Sequence, residues 1–340
     1  MTARTRKPRR RAAGLTLADV ARIAGVSPIT VSRALNTPAQ LAEETLAKVR
    51  AAVARTGYVP NLVAGGLASN RSRLVAAIVP TIASQVFLET VEALTAALEA
   101  EGYQVMLGQS GYGEAREDAL LDAIIGRRPD GVILTGVMHS PEGRRRLAAA
   151  GIPVVETWDL TPTPIDMLVG FSHEKVGTAV ADFLHYRGSR RPALLHADDH
   201  RAGLRRRAFI ERMHRLGVKS VAQEIVATPT TLGMGRRAFA RLRAEHPEID
   251  AVFCSSDMLA LGALTQAQAD GVAVPGQVRI MGFGDNAFAA DTYPALSTVR
   301  IDGTAIGRQA ARFVIDSAAG REVGPRVIDL GFKIVARQSA

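Results

Sequence analysis

The stretch Leu15-Thr-Leu-Ala-Asp-Val-Ala-Arg-Ile-Ala-Gly-Val-Ser-Pro-Ile-Thr-Val-Ser-Arg-Ala-Leu-Asn36 reads as two short helices and the turn between them. Thr16 is a good N-cap, and Asp19, three residues on, completes a capping-box pair. Leu17, Val20, Ala21 and Ala24 form one apolar stripe at helical spacing. Gly25 ends the helix, since glycine takes a positive φ at no steric cost. Ser27 caps a second helix with Pro28 at its first position, where the missing N–H costs nothing. Val31, Ala34 and Leu35 face inward, which leaves Thr30, Ser32, Arg33 and Asn36 outward or at the margin. Two capped helices joined by a short glycine turn match the helix-turn-helix pattern. The second helix offers hydroxyl and amide groups plus one arginine, groups that contact phosphates and a guanine edge. A plain helical hairpin is the alternative, weakened by the exposed Arg33 and by the charge around it.

That charge is concentrated. The 340-residue chain carries +9, and residues 1–73 hold 13 Lys/Arg against 3 Asp/Glu, a net of +10. The remainder has 29 basic and 30 acidic residues, a net of −1. A basic end on a near-neutral body implies a polyanion-binding module joined to something else. Residues 1–14 form a basic arm expected to be disordered without nucleic acid, or a solubilising tail. Apolar residues make up 47% and charged residues 22%, the balance of a globular chain with more than one domain. No apolar run reaches the roughly 18–20 residues that span a bilayer. No apolar segment follows the basic start, so a secretory signal is not expected, and a lone Cys254 excludes an internal disulfide framework. Both point to the cytoplasm.

A third helix, about Glu43 to Thr56, carries Leu46, Val49, Ala52 and Val53 at helical spacing and ends at Gly57. Here a resemblance becomes specific. Thr16-Leu-Ala-Asp-Val-Ala, Ala24-Gly-Val-Ser, Thr30-Val-Ser-Arg-Ala-Leu-Asn and Gly57-Tyr-Val-Pro-Asn61 resemble, in order and spacing, the DNA-binding signature of LacI/GalR-type repressors. The resemblance implies that Thr16, Ser27, Pro28, Ile29, Thr30, Ser32, Arg33, Asn36 and Asn61 meet DNA. It also implies that a hinge helix follows on operator DNA, with Leu67 as the minor-groove wedge. Two features depart from the family. Gly65-Gly66 costs the hinge roughly 1 kcal/mol of helix propensity per glycine. Pro28 and Ile29 occupy positions that often read bases, and neither can hydrogen-bond a base edge. Ile29 can touch a thymine methyl, which leaves Arg33 as the direct reader.

From Leu74 short apolar runs alternate with helical patterns. Candidate strands are 74–79, 103–107, 131–135, 153–156, 192–196, 251–254 and 278–282. Candidate helices are 86–100, 114–126, 174–187, 203–216, 232–245 and 258–270. This alternation predicts parallel sheets with helices on both faces, and roughly ten strands predict two lobes with a cleft beyond their carboxyl ends. The fold class is therefore an all-α helix-turn-helix headpiece followed by an α/β two-lobed sensor domain, similar to the periplasmic-binding-protein-like body of the same family. The expected divisions are an arm (1–14), a headpiece (15–60), a hinge (61–73) and a sensor body (74–340). By the resemblance the N-lobe is 74–172 plus 303–325 and the C-lobe 173–302 plus 326–340.

Polar groups fall where cleft residues belong. Thr81, Ser84, Gln85 and Phe87 follow the first strand. Trp158 follows the fourth, beside Glu156 and Asp159. An isolated tryptophan on a loop either stacks on a sugar ring or lies as a lid over core. Asp257 follows a strand and either enters the cleft or caps the next helix; the family places ligand contacts there. Arg205-Arg-Arg-Ala-Phe209 resembles the family's Arg-x-x-Gly-Phe motif, which makes Arg205 the ligand-binding arginine. Gly282-Phe-Gly-Asp285 stands for Gly-Phe-Asp-Asp, and Ser172-His173 for Asp-Asn, so His173 and Asp285 join the candidates. A cleft that loses acidic groups and keeps an arginine suits an anionic ligand. Stretches such as Gly102-Tyr-Gln-Val-Met-Leu107 and Gly151-Ile-Pro-Val-Val-Glu156 resemble the gluconate-operon branch. The expected effector is gluconate or a related sugar acid, with a neutral sugar or nucleobase as the alternative.

The rival readings are weaker. Gly282-Phe-Gly-Asp-Asn-Ala287 matches G-x-G-x-x-A, but too few residues precede Pro294 for the helix a dinucleotide needs. His196-Ala-Asp-Asp-His200 reads as a polar strand end more readily than a metal site. A secreted solute-binding protein would share the body without a DNA-binding headpiece. No enzymatic activity, cofactor, metal or membrane is expected. The partners are pseudo-palindromic operator DNA, a small-molecule effector and a second copy of the chain. No heptad extension precedes Ala340, which favours a dimer over a tetramer.

Overall fold

A computed structural model describes residues 15–59, 71–112 and 114–340. The basic arm, Asn61, the Gly65-Gly66 pair and Leu67 lie outside the described residues. The chain divides into two compact units between Ser72 and Arg73.

Among the described residues the first unit has three α-helices, Leu17–Ala24, Pro28–Asn36 and Glu43–Thr56. The first two begin at a capping side chain, Thr16 or Ser27, and the first and third end at a glycine. The Thr16 side chain accepts from the Asp19 N–H, and the Asp19 carboxylate accepts in return from the Thr16 N–H at 3.0 Å. Gly25 and Gly57 stop their helices in the left-handed region, at φ 67° and 63°. The core is small: Val20, Val31, Leu46, Val49 and Tyr58 with alanines at 21, 34 and 52.

Among the described residues the second unit holds twelve strands. They are β1 (Leu74–Val79), β2 (Gln104–Gln109), β3 (Gly131–Thr135), β4 (Val154–Thr157), β5 (Met167–Gly170), β6 (Pro192–Ala197), β7 (Ala222–Val226), β8 (Ala251–Cys254), β9 (Arg279–Met281), β10 (Thr298–Arg300), β11 (Val327–Asp329) and β12 (Lys333–Val335). One sheet runs β2-β1-β3-β4-β5-β11, a second runs β7-β6-β8-β9, and every pairing within them is parallel. β10 and β12 form an antiparallel pair.

Strands covered on both faces need apolar side chains in both directions, so they read as unbroken apolar runs. β1 shows how they divide. Val75 and Ala77 pack in one cluster with the helices Leu88–Ala100 and Gly303–Ala318. Ala76 and Ile78 pack in another with Glu114–Ile125 and Pro141–Ala149. In the second sheet Leu194 meets Phe209, Val176 and Val180 of the helices His200–Arg215 and His173–Tyr186. Ala193 and Leu195 meet Leu232–Glu245 and Asp257–Ala269. No helix among the described residues is long and apolar enough to cross a membrane.

Two differences from the expected layout bear on the site. The helix expected at 203–216 starts at His200, because Asp199 caps it by accepting from the Ala202 N–H at 2.9 Å. That brings Arg201 into its first turn. The tail 326–340 does not belong wholly to the C-lobe: β11 pairs with β5 on the first sheet, and only β12 returns to β10. The short strands β5, β7 and β10–β12 have three to five residues each, too few to show a period.

Candidate functional site

In the first unit the second helix exposes a graded surface. Pro28, Arg33 and Asn36 are exposed, and Ile29 is 66% exposed, a large apolar side chain left in water. Thr16 and Ser27 are exposed, while Thr30 and Ser32 are half-buried. Several of these polar groups are already engaged. Ser27 Oγ accepts from the Thr30 N–H at 3.1 Å and lies 2.9 Å from Thr30 Oγ1. Asn36 Nδ2 donates to the Ser32 carbonyl at 3.0 Å. Arg33 makes no side-chain hydrogen bond or ion pair among the described residues, so its five donors are available to a ligand. Basic charge, an exposed isoleucine and hydroxyls on one short helix are what a major-groove reader presents.

In the second unit a cavity of about 70 Å³ lies between the two sheets, lined by Phe87 and Trp158 from the first and Arg205, Ser255 and Phe283 from the second. His173 bridges them at the start of its helix, where Ser172 caps by accepting from the Lys175 N–H. Gly177, one turn on, lets this helix approach the next: a Cβ there would overlap the Arg205 carbonyl oxygen. The approach carries His173 to Arg205.

The polar arrangement around Arg205 is fully ordered. His173 Nε2 lies 3.0 Å from the Trp158 carbonyl, which can only accept, so Nε2 carries the proton. Nδ1 therefore accepts, from Arg205 Nη1 at 2.8 Å. Burial and the adjacent Arg205 hold the imidazole well below its usual range, in the neutral form this geometry requires. Arg205 Nη2 donates to the Ser255 carbonyl at 3.2 Å, and the guanidinium lies over the Phe283 ring at 4.0 Å. Arg205 is 5% exposed, and burial lowers its pKa to about 10. Its Nε has no partner among the described residues. No carboxylate pairs with it there; Asp199 and Asp159 act on it only at a distance. A buried cation with neutral partners and an unused donor is unusual, since a buried charge is normally paired.

The aromatic wall is built from the other side. Phe87 and Trp158 meet edge to face at 5.0 Å, and Trp158 Nε1 donates to Thr90 Oγ1 at 3.0 Å. Trp158 sits at φ 65°, a conformation rare for a bulky residue and here imposed beside the site. Its exposure is 2%, so the ring both lines the cavity and closes core.

Of the expected cleft residues, Ser84, Phe87, Trp158, His173 and Arg205 line the cavity. Gln85, Glu156, Asp257 and Asp285 do not. Gln85 is exposed and outside the lining, while its neighbours Ser84 and Val86 are within it. Glu156 is fully buried behind the strand ends and accepts from the Met138 and Ile165 N–H groups at 2.9 and 2.8 Å. It ties two loops to β4. Asp257 accepts from Thr298 Oγ1 at 2.5 Å and from the Asn286 N–H at 2.7 Å. Gly282 makes room for it, since a Cβ there would overlap Asp257 Oδ1. Asp285 pairs with Arg337 at 2.7 Å and Arg300 at 3.3 Å. These carboxylates follow strand ends as cleft residues do, yet their partners are the protein's own groups.

Sequence reasoning missed Tyr112, Asp199, Arg201, Thr228 and Thr230, all of which line the cavity. A signal existed for Arg201: it stands four residues before Arg205, on the same helical face. The loop residues Thr228 and Thr230 carried none. Cys254 is buried in β8, and burial pushes its thiol far up, so it is inert. The Gly282–Ala287 stretch is followed only by a short 3₁₀ turn, Ala287–Ala290, and no crossover helix receives a phosphate there.

Comparison with known proteins agrees with both units. Residues 16–61 match the family described as bacterial regulatory proteins, lacI family, and residues 181–340 match the periplasmic binding protein-like domain. The HTH-type transcriptional regulator GntR of Pseudomonas aeruginosa is 40% identical over 326 residues, 95% of each chain. GntR of Escherichia coli K12 is 31% identical, covering 94% of this chain and 96% of its own. The crystal structure of a LacI-family transcriptional regulator from Silicibacter pomeroyi superposes with a TM-score of 0.90 at 34% identity, over 96% of this chain and 99% of its own. Identity at this level runs through both units, and it places the protein in the LacI family as a DNA-binding transcriptional regulator.

Proposed function

We propose that this protein is a cytoplasmic homodimeric repressor whose effector is a sugar acid of the gluconate type, bound between the two sheets of the second unit. The observation that carries the reading is Arg205: buried, without a carboxylate partner among the described residues, with an unused Nε and an imidazole neighbour held neutral. A carboxylate supplies the missing counter-charge, and a charge-assisted pair in such a site is strong. Phe87 and Trp158 offer apolar ring surface to a carbon chain, and Ser255, Ser256, Thr228 and Thr230 supply polar contacts for hydroxyls. The GntR name of the relatives agrees with a gluconate-type effector.

On DNA, the second helix of each headpiece lies in the major groove of one half-site of a pseudo-palindrome. Arg33 reads a guanine edge, Ile29 touches a thymine methyl, and the hydroxyls of Thr16, Ser27, Thr30 and Ser32 with Asn36 and Asn61 hold the backbone. Leu67 is the minor-groove wedge. Effector binding favours one arrangement of the two sheets, and operator affinity follows by linkage. The experiment is fluorescence anisotropy of the full-length protein on its own upstream DNA, with and without gluconate, at two salt concentrations. Selective, salt-sensitive binding that gluconate alters is expected. Selective binding altered by a neutral sugar and untouched by sugar acids would overturn the effector assignment.

A further inference from the structure

We infer that the effector lies with its carboxylate toward Arg205 and its polyol tail in an acidic vestibule, so that the site selects a sugar acid with one anionic end over one with two. The inference rests on the sugar-acid reading above and adds the charge pattern of the ligand. A second cavity, of about 240 Å³, adjoins the first and shares Tyr112, Asp199 and Arg201 with it. Its lining carries four carboxylates, Glu117, Asp159, Asp198 and Asp199, against a single arginine, Arg201. The inner cavity has the opposite balance, Arg201 and Arg205 against Asp199. Arg201 marks the boundary. Its guanidinium lies 5.2 Å from the centre of the Phe87 ring, and its Nη1 is buried without a hydrogen-bond partner among the described residues, as is Nε of Arg205. The His139 and His200 rings, 4.3 Å apart and tilted by 52°, also line the vestibule.

A linear polyhydroxy acid fits this gradient one way round. Its carboxylate goes to the guanidinium donors that have no partner. Its hydroxyls go to carboxylates, which only accept. A second carboxylate at the far end meets like charges in a partly desolvated recess, a repulsion that discriminates where attraction cannot. A dicarboxylate gains nothing by turning round, since one end always occupies the vestibule.

The test compares gluconate with glucarate by titration calorimetry on the full-length protein. The two differ in one end group, a hydroxymethyl in the first and a carboxylate in the second. Glucarate is expected to bind about tenfold or more weaker than gluconate. In the Glu117→Gln/Asp198→Asn variant that ratio is expected to shrink by roughly threefold or more. Asp199→Asn gives an independent reading, since asparagine caps a helix as well as aspartate does. Thermal unfolding reports that each variant is folded. Glucarate binding as tightly as gluconate, or an unchanged ratio in the folded variants, overturns the inference and leaves the sugar-acid reading standing. Binding of a neutral sugar with neither acid bound overturns both.

Discussion

Arg205 and Asp257 are both buried charged residues, each near the start of a helix that follows one of the neighbouring strands β6 and β8. Asp257 is 0% exposed and has both oxygens engaged by its own fold, through Thr298 and Asn286. Arg205 faces a cavity and keeps a donor unused. The two share burial, position and charge magnitude, and they differ in whether the protein itself supplies a partner to every polar atom of the group. A charge whose atoms are all engaged internally holds structure together; a charge with an unused donor at a cavity is what the proposed effector would meet.

The sharpest way to break this comparison is to truncate each residue and measure two properties. Arg205→Ala is expected to weaken sugar-acid binding roughly 100-fold or more, the scale of losing one member of a buried charge pair. Its unfolding midpoint in urea should fall less than that of Asp257→Ala, because the buried bonds to His173 and Ser255 are lost together with the cost of burying a charge that has no counter-ion among the described residues. A large loss of stability with effector affinity retained would make Arg205 structural. Asp257→Ala should do the reverse, with a stability loss of about 2–4 kcal/mol from the released Thr298 and Asn286 groups. Effector affinity should fall by less, through looser packing of Phe283 under Arg205.

The first unit extends the comparison to an exposed arginine. Arg33→Ala is expected to cost about 1–3 kcal/mol of operator binding and to relax preference at one base pair, read by anisotropy on single-substituted operators. Headpiece stability should not move. A uniform loss on all sequences would assign Arg33 to phosphate instead.

The smallest effect is a pH slope. Burial raises the Asp257 carboxyl to about 6 from its ordinary 3.8. The folded state then keeps its proton up to about pH 6, while the unfolded state releases it near 3.8. Stability from this group falls as pH rises from 3.8 to 6 and is level above. His173 acts with the opposite sign: held neutral in the fold, it makes stability fall as pH drops below 6.5. The difference between parent and Asp257→Asn stability curves isolates the first slope. A flat difference between pH 4 and 6 would mean that Asp257 is ionised throughout that range.

The headpiece was legible residue by residue, because caps, glycine stops and apolar spacing act within one turn of helix. Thr16, Gly25, Ser27 and Pro28 are placed by their nearest neighbours in sequence, and the structure shows them there. The parallel architecture of the body was legible for a similar reason. Strands such as Val75–Val79 must be apolar on both sides to be covered by helices, whatever the rest of the chain does.

The sequence by itself therefore determined the helix-turn-helix and the alternation of strands and helices, and it singled out Arg205, which the structure places at the cavity. Which carboxylates face the cavity was decided only by tertiary structure. Glu156 near the end of its strand and Asp257 and Asp285 just past theirs stand as a ligand contact would, and each is engaged by groups on other segments: Met138, Thr298 and Arg337. Arg201 and Tyr112, unremarkable in sequence, meet at one cavity because two sheets are brought face to face. The direction of a side chain at a strand end depends on which distant donor reaches it first, and local spacing carries no record of that.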